Sequence, residues 1–303
     1  MPVRFDPKAV AVTEFGVGID DEAGIQRFVL VPIDADVQSA LREMVITTRE
    51  EMTGLEKNPA TYDPSEKYAG REHLHLALDD ELASQVRKIH EANNLPIDPK
   101  ALVNPANVFC YFARMSDGKG HRLTGVRRAT AFKGVLKSRL VQLTTDALRI
   151  VSEKIFKLDR DFDLLVDDTY VQILRPAGFE FVGELEGAIL GATPKNIKAI
   201  RADLPFVDFT PIESYAADHP RAARYLASIR VQQETKDVDK SYLKKLCERT
   251  GVKVQEIKGQ LVVEEGSIMD FLGVLDRRLY QVELVKGSPE SFRAASRSRI
   301  GNA

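Results

Sequence analysis

FDLLVDDTYVQILRPAGFEF, residues 162–181, is the stretch from which the rest of the chain is most easily read. Leu164, Leu165 and Val166 precede, and Tyr170, Val171 and Ile173 follow, a turn made of Asp167-Asp168-Thr169. Apolar, β-branched and aromatic residues suit a pleated strand, and Asp and Thr suit a tight turn, so the stretch predicts a hairpin. Pro176-Ala177-Gly178 breaks the second strand before Phe179-Glu180, after which the pattern becomes helical, interrupted by Pro194, Pro205, Pro211 and Pro220.

Upstream, from Val108, strand-like runs follow one another: Val108 to Met115, Leu123 to Phe132, Leu140 to Leu143 and Leu148 to Val151. Successive strands with short turns, such as Ser116-Asp117-Gly118-Lys119-Gly120, predict an antiparallel sheet. The first hundred residues instead alternate. Strands are expected at Ala9 to Val17, Arg27 to Pro32 and Glu72 to Leu78, with a loop from Gly54 to Gly70. Asp34 caps one helix with Val37, Leu41 and Met44 on its apolar face; Asp79 or Asp80 caps another carrying Leu82, Val86 and Ile89.

Downstream, Asp239 or Ser241 opens a helix that Gly251 closes, and a hairpin is expected about Gly259-Gln260. Ser267 and Asp270 have capping-box spacing before a stripe of Ile268, Phe271, Leu272 and Leu275. The fold class is therefore α+β: an amino-terminal mixed α/β region over 1–138, then a mostly antiparallel sheet with helices and a carboxy-terminal helix-hairpin-helix over 139–286. A mobile basic tail is expected over 287–303.

The 303 residues are 44% hydrophobic and 29% charged, values of a globular and not a disordered chain. No apolar run nears the roughly 18 residues of a membrane span, and MPVRFDPKAV carries charge where a signal peptide is apolar. Two distant cysteines, Cys110 and Cys247, read as reduced thiols. A cytoplasmic protein is expected.

Net charge is only −2, but its distribution is uneven. From Cys110 to Arg139 eight basic residues face one acid, Asp117; from Glu153 to Leu190 nine acids face four bases. After Ser291 come Arg293, Arg297 and Arg299 with no acid. A near-neutral protein with such asymmetry carries local positive fields. The candidate DNA-binding residues are Arg122, Arg127, Arg128, Lys133, Lys137 and Arg139, interleaved with Phe132, Val135 and Leu136. Binding through phosphates would be insensitive to sequence. The competing reading is a solvated face paired with the acids downstream.

Catalytic patterns are weak. Asp163, Asp167 and Asp168 could hold magnesium as in a nuclease, but Asp is also a preferred turn residue. Glu256-Ile257-Lys258 has a nuclease-like spacing in the wrong hairpin, and His73 and His75 lack further ligands nearby. Gly16-Val17-Gly18 and Gly118-Lys119-Gly120 match neither nucleotide-binding loop. No catalytic residue, metal or cofactor is assigned.

The spaced pattern of the 162–181 stretch, hydrophobic–Asp–hydrophobics–Asp–Asp and then Phe-Glu, resembles the family of the B component of the Kiwa anti-phage defence system. The resemblance runs from about Leu140 to Leu284. It implies a DNA-binding effector that stops phage DNA replication or expression. It also implies a small membrane-embedded Kiwa A-type partner and a homodimer or higher homo-oligomer. The resemblance brings no catalytic motif, and in it the Phe-Glu pair opens a helix. A magnesium-dependent nuclease and a protein-binding adaptor are the alternatives.

Overall fold

A computed structural model describes residues 5–6, 10, 12–20, 26–55, 58–103, 107–117, 119–130, 141–143, 148–150, 156–232 and 238–294. The architecture is mixed α and β and falls into two units. Met1–Tyr62 with Tyr68–Leu185 form the first; Asp63–Lys67 with Glu186–Ala303 form the second.

The first unit is built on β1 (Val12–Asp20), β2 (Gln26–Val31), β3 (Ala60–Thr61), β4 (Leu74–Ala77), β5 (Val108–Ser116), β6 (Arg122–Arg128), β9 (Leu164–Val166) and β10 (Tyr170–Ile173). They pair in the order β2-β1-β5-β6-β9-β10-β4-β3. Among the described residues of this sheet only the pair β3 and β4 runs parallel. A separate pair joins β7 (Val141–Leu143) to β8 (Leu148–Ile150). The 162–181 hairpin forms as its sequence predicts, with Asp167 Oδ1 accepting from the amides of Thr169 and Tyr170 at 2.9 and 2.8 Å.

The expected division between residues 138 and 139 is not where the units part. Thr124, Gly125 and Val126 of β6 register with Val166, Leu165 and Leu164 of β9, so the hairpin completes a sheet begun by the amino-terminal strands. The reach of the family resemblance, from about Leu140, sets the expected position; hydrogen bonding across it makes one sheet.

Side chains along β6 alternate between two covered faces. On one, α1 (Ala35–Leu55) buries Leu41, Met44, Val45 and Met52 in a core shared with Phe15, Tyr111, Leu123, Phe162 and Leu165. Asp34 caps that helix by accepting the Val37 amide at 2.9 Å. Gly125 is needed in this core, because a Cβ there would lie 2.5 Å from the Phe162 ring. On the other face, α2 (Ser84–Glu91) brings His90 onto Thr124. It follows a short 3-10 turn that Asp80 caps through the Leu82 amide.

Helix α3 (Pro176–Val182) begins at Pro176, whose ring is pre-set for a first helical position. Phe179 and Glu180 therefore lie within the helix and do not open it. Three other prolines behave alike. Pro194 and Pro211 sit in the first turns of α5 (Thr193–Asp203) and α6 (Thr210–Ala217), which follow α4 (Glu186–Gly191), and Pro220 begins α7 (Pro220–Gln232). These three start helices where the sequence suggested interruptions, whereas Pro205 lies in the turn that follows α5, an interruption as expected.

The second unit packs α5, α6 and α7 with α8 (Lys240–Thr250) and α9 (Ile268–Leu275) around Ile197, Phe209, Leu226, Leu243, Leu261 and Phe271. Asp239 caps α8 through the Tyr242 amide, and Gly251 ends it at φ 76. Strands β11 (Val207–Asp208), β12 (Val254–Ile257) and β13 (Gln260–Val263) pair in the order β11-β13-β12. The turn is Lys258-Gly259, both at positive φ (49 and 82), one residue earlier than expected. Two such residues match the twist of a tight hairpin. Ser267 does not cap α9; its Oγ accepts the Lys253 amide, and a 3-10 turn leads into the helix.

Residues 288–293 of the expected mobile tail are ordered as β15 (Ser288–Arg293), paired with β14 (Leu279–Val285) across Gly287 at φ 81. Tyr280 stacks on its cross-strand partner Phe292. Among the described residues no helix is long and apolar enough to cross a membrane.

Candidate functional site

Where the chain enters the central hairpin, Asp159, Asp161 and Asp163 alternate with Arg160 and Phe162. The segment bends at residues 160, 161 and 163, and its three carboxylates meet arginines from three other segments. Arg127 of β6 reaches Asp159 through Nε at 3.4 Å, and Asp161 and Asp163 through Nη1 at 3.2 and 2.8 Å. Arg175, between β10 and α3, contacts Asp161 at 2.8 Å and Asp163 at 3.7 Å. Arg71 joins Asp161 at 3.3 Å to Glu51 of α1 at 2.7 Å.

Asp163 is the centre of this cluster. Its side chain accepts the Arg128 amide at 2.8 Å. Its own amide donates to the Val126 carbonyl, and its carbonyl accepts from the amides of Leu174 and Arg175. One residue thus ties β6 to the hairpin and to the start of α3. Gly178 allows the close approach: a Cβ there would lie 2.2 Å from Asp163 Oδ2.

Burial pushes the Asp163 carboxyl up, and the Arg127 charge pulls it part of the way back. For Asp159 burial again raises, but the Lys157 hydrogen bond and the Arg127 charge outweigh it, and the carboxyl ends below its usual range. Tyr111 donates to Asp159 at 3.2 Å and accepts the Asp159 amide at 2.9 Å. The arrangement is a set of matched, largely dry ion pairs, costly to break singly because each loss strands a charge.

The six sequence-predicted DNA-binding residues do not gather on one open face. Lys133, Lys137 and Arg139 lie outside the described residues. Arg127, 15% exposed, is turned into the carboxylates, so the expected phosphate contact has acids in its place. Arg128 points to the opposite face, is exposed, and stacks its guanidinium 3.8 Å above the Phe181 ring. Arg122, on the same face as Arg128, donates to the His90 carbonyl at 2.8 Å. Six residues along a strand separate those two, roughly 20 Å.

The three hairpin acids considered for magnesium are likewise apart in role. Asp163 holds arginines, Asp167 holds its own turn, and Asp168 lies 3.4 Å from His90 Nε2. His90 Nδ1 is 2.8 Å from Thr124 Oγ1, giving the order of a relay from acid to imidazole to hydroxyl. The exposures run the wrong way for catalysis, however: Asp168 is 59% exposed and Thr124 fully buried. A nucleophile needs to meet its substrate. Burial also lowers the His90 pKa, which Asp168 opposes.

Elsewhere, His75 Nδ1 lies 2.9 Å from the Pro59 carbonyl and its Nε2 3.4 Å from Thr61 Oγ1. Glu256 takes Lys240 and Lys244. Among the described residues no three His, Cys, Asp or Glu side chains are grouped to hold a metal ion. Both cysteines are buried, and burial pushes the Cys247 thiol up to about 12. Asp159, Asp161 and Arg175 were missed in the sequence; the Asp-x-Asp-x-Asp alternation was the available signal.

Comparison of the chain with protein-family models, curated proteins and solved structures finds no match.

Proposed function

We propose that the chain is a non-enzymatic anti-phage effector of the Kiwa B type, which holds DNA without reading its sequence. It works from the cytoplasm as a homo-oligomer, recruited to the membrane by a small membrane-embedded Kiwa A-type partner. The supporting observation is that residues 162–181, which carry the resemblance, fold as a hairpin followed by a helix and join the central sheet between β6 and β4. In this reading α8, the β12–β13 hairpin and α9 are the family's carboxy-terminal helix-hairpin-helix element. Exposed Arg128 and partly exposed Arg122 supply phosphate contacts, to which Lys133, Lys137 and Arg139 are added on their sequence alone. The nuclease alternative draws little from the hairpin acids, whose partners are arginines, backbone amides and a histidine.

Incubating the protein with plasmid and magnesium beside a mobility shift tests the proposal. Duplexes of unrelated sequence are expected to shift alike and stay intact. Magnesium-dependent nicking would replace binding by cleavage, and absence of any shift would leave the adaptor reading.

A further inference from the structure

Between α7, α9 and β15 in the second unit a small open cleft is lined by Arg221, Arg278 and Arg293, with Tyr225, Met269 and Asp270. The geometry points to a site for a phosphate group in this cleft, independent of the Arg122–Arg139 stretch. The three arginines come from places far apart in the sequence, so their meeting is a product of the fold. Like charges brought together repel unless something anionic shares the space.

The resident acids only partly meet that need. Asp276, fully buried, takes Arg278 Nε at 2.5 Å and is itself fixed by Ser228 Oγ at 2.7 Å. Asp270 takes Arg293 at 2.5 Å. Arg221 is exposed and has no carboxylate partner among the described residues; its guanidinium lies 5.9 Å from the Tyr225 ring centroid. Arg278 lies 5.0 Å from the same centroid, so one ring holds two cations. Three positive and two negative groups leave a surplus of one positive charge at an opening to solvent.

A guanidinium presents a planar fork of donors that fits a tetrahedral oxyanion in two-point fashion. Two of the forks are already oriented by carboxylates, which lowers the ordering cost on binding. The chemical class is therefore a phosphate group, from a DNA backbone or from a small phosphorylated ligand.

The test follows the phosphorus resonance of inorganic phosphate titrated with the full chain, for the wild type, Arg221→Ala, Arg293→Ala and Arg221→Lys. Saturable broadening is expected for the wild type. Each alanine variant should bind at least about tenfold more weakly, the loss of one charge-assisted hydrogen bond. Arg221→Lys should fall between, keeping charge without the fork. Melting curves identify any variant that fails to fold, and the other variants then carry the result. Adding duplex distinguishes the sources: displacement of phosphate assigns the cleft to a DNA backbone, and its absence to a small phosphorylated ligand. Broadening that is absent, or equal in the wild type and both alanine variants, overturns the proposal. A failed mobility shift with phosphate binding retained would end the DNA reading and leave this one standing.

Discussion

Two regions of the molecule concentrate arginine and aspartate, and they use them in opposite ways. In the first unit Arg127 and Arg175 face Asp161 and Asp163, both nearly fully buried, and every charge described there has a counter-charge. In the second unit Arg221 and Arg293 are exposed beside Arg278, which buried Asp276 holds, and the described residues lining that cleft include fewer acids than bases. The difference shows why counting basic residues along a sequence does not locate a binding surface. Arg127 lies in the most basic stretch of the chain and is committed to structure. Arg221 has the acid-poor surroundings of a binding residue in a segment without such a run.

The strongest break of this comparison is Arg127→Met. It keeps the stem and leaves Asp163 with Arg175 as its one arginine and Asp161 with Arg175 and Arg71, a partly uncompensated burial worth about 3–5 kcal/mol. Arg221→Ala, on an exposed surface, should change stability by less than about 0.5 kcal/mol. Urea unfolding of both variants checks the contrast. Equal, small effects would mean that the carboxylate cluster does not hold the hairpin. One consequence is practical: reversing Arg127 and Arg128 together would report on folding before it reported on DNA.

Gly178→Ala sharpens the point that Asp163 is immovable. A methyl group 2.2 Å from Asp163 Oδ2 requires either the helix start or the carboxylate to shift. Overpacking of this kind costs about 1–3 kcal/mol. In combination with Asp163→Ala the two losses should fall short of additive, because the two closest contacts go with the carboxylate and only that to the residue 163 Cβ, at 2.7 Å, remains. Strict additivity would show that α3 yields without involving Asp163.

Local chemistry made much of the fold legible. The Asp167 turn, the Asp34, Asp80 and Asp239 caps and the Gly251 cap all depend on residues within three or four positions of one another, and each was readable. What was not readable depends on distance or on parity. The partners of Asp163 come from 36 residues upstream and 12 downstream, Arg127 and Arg175, and nothing local announces them. Arg127 and Arg128 are adjacent in sequence yet face opposite sides of a strand. Both faces of β6 are covered, so Leu123 to Val126 are buried without the alternation that would have told the two apart. The arginine cleft is harder still, since α7, α9 and β15 meet only once the second unit has folded.

The smallest expected effect isolates what remains of the basic stretch for DNA. Arg128→Gln removes one exposed charge, together with the guanidinium stacked on Phe181. If Arg128 contacts a phosphate, the slope of log affinity against log salt should flatten by about 0.9, the counterion released per neutralised phosphate. Binding to unrelated duplexes should weaken alike, because phosphate contacts carry no sequence information. Arg122→Gln should act in the same direction but less, since that side chain also holds the His90 carbonyl. Weakening confined to one sequence would indicate a base contact. An unchanged slope in a variant with the wild-type melting curve would remove the β6 arginines from the interface, and the same titration on Arg221→Ala would then show whether the cleft of the second unit takes the DNA in their place.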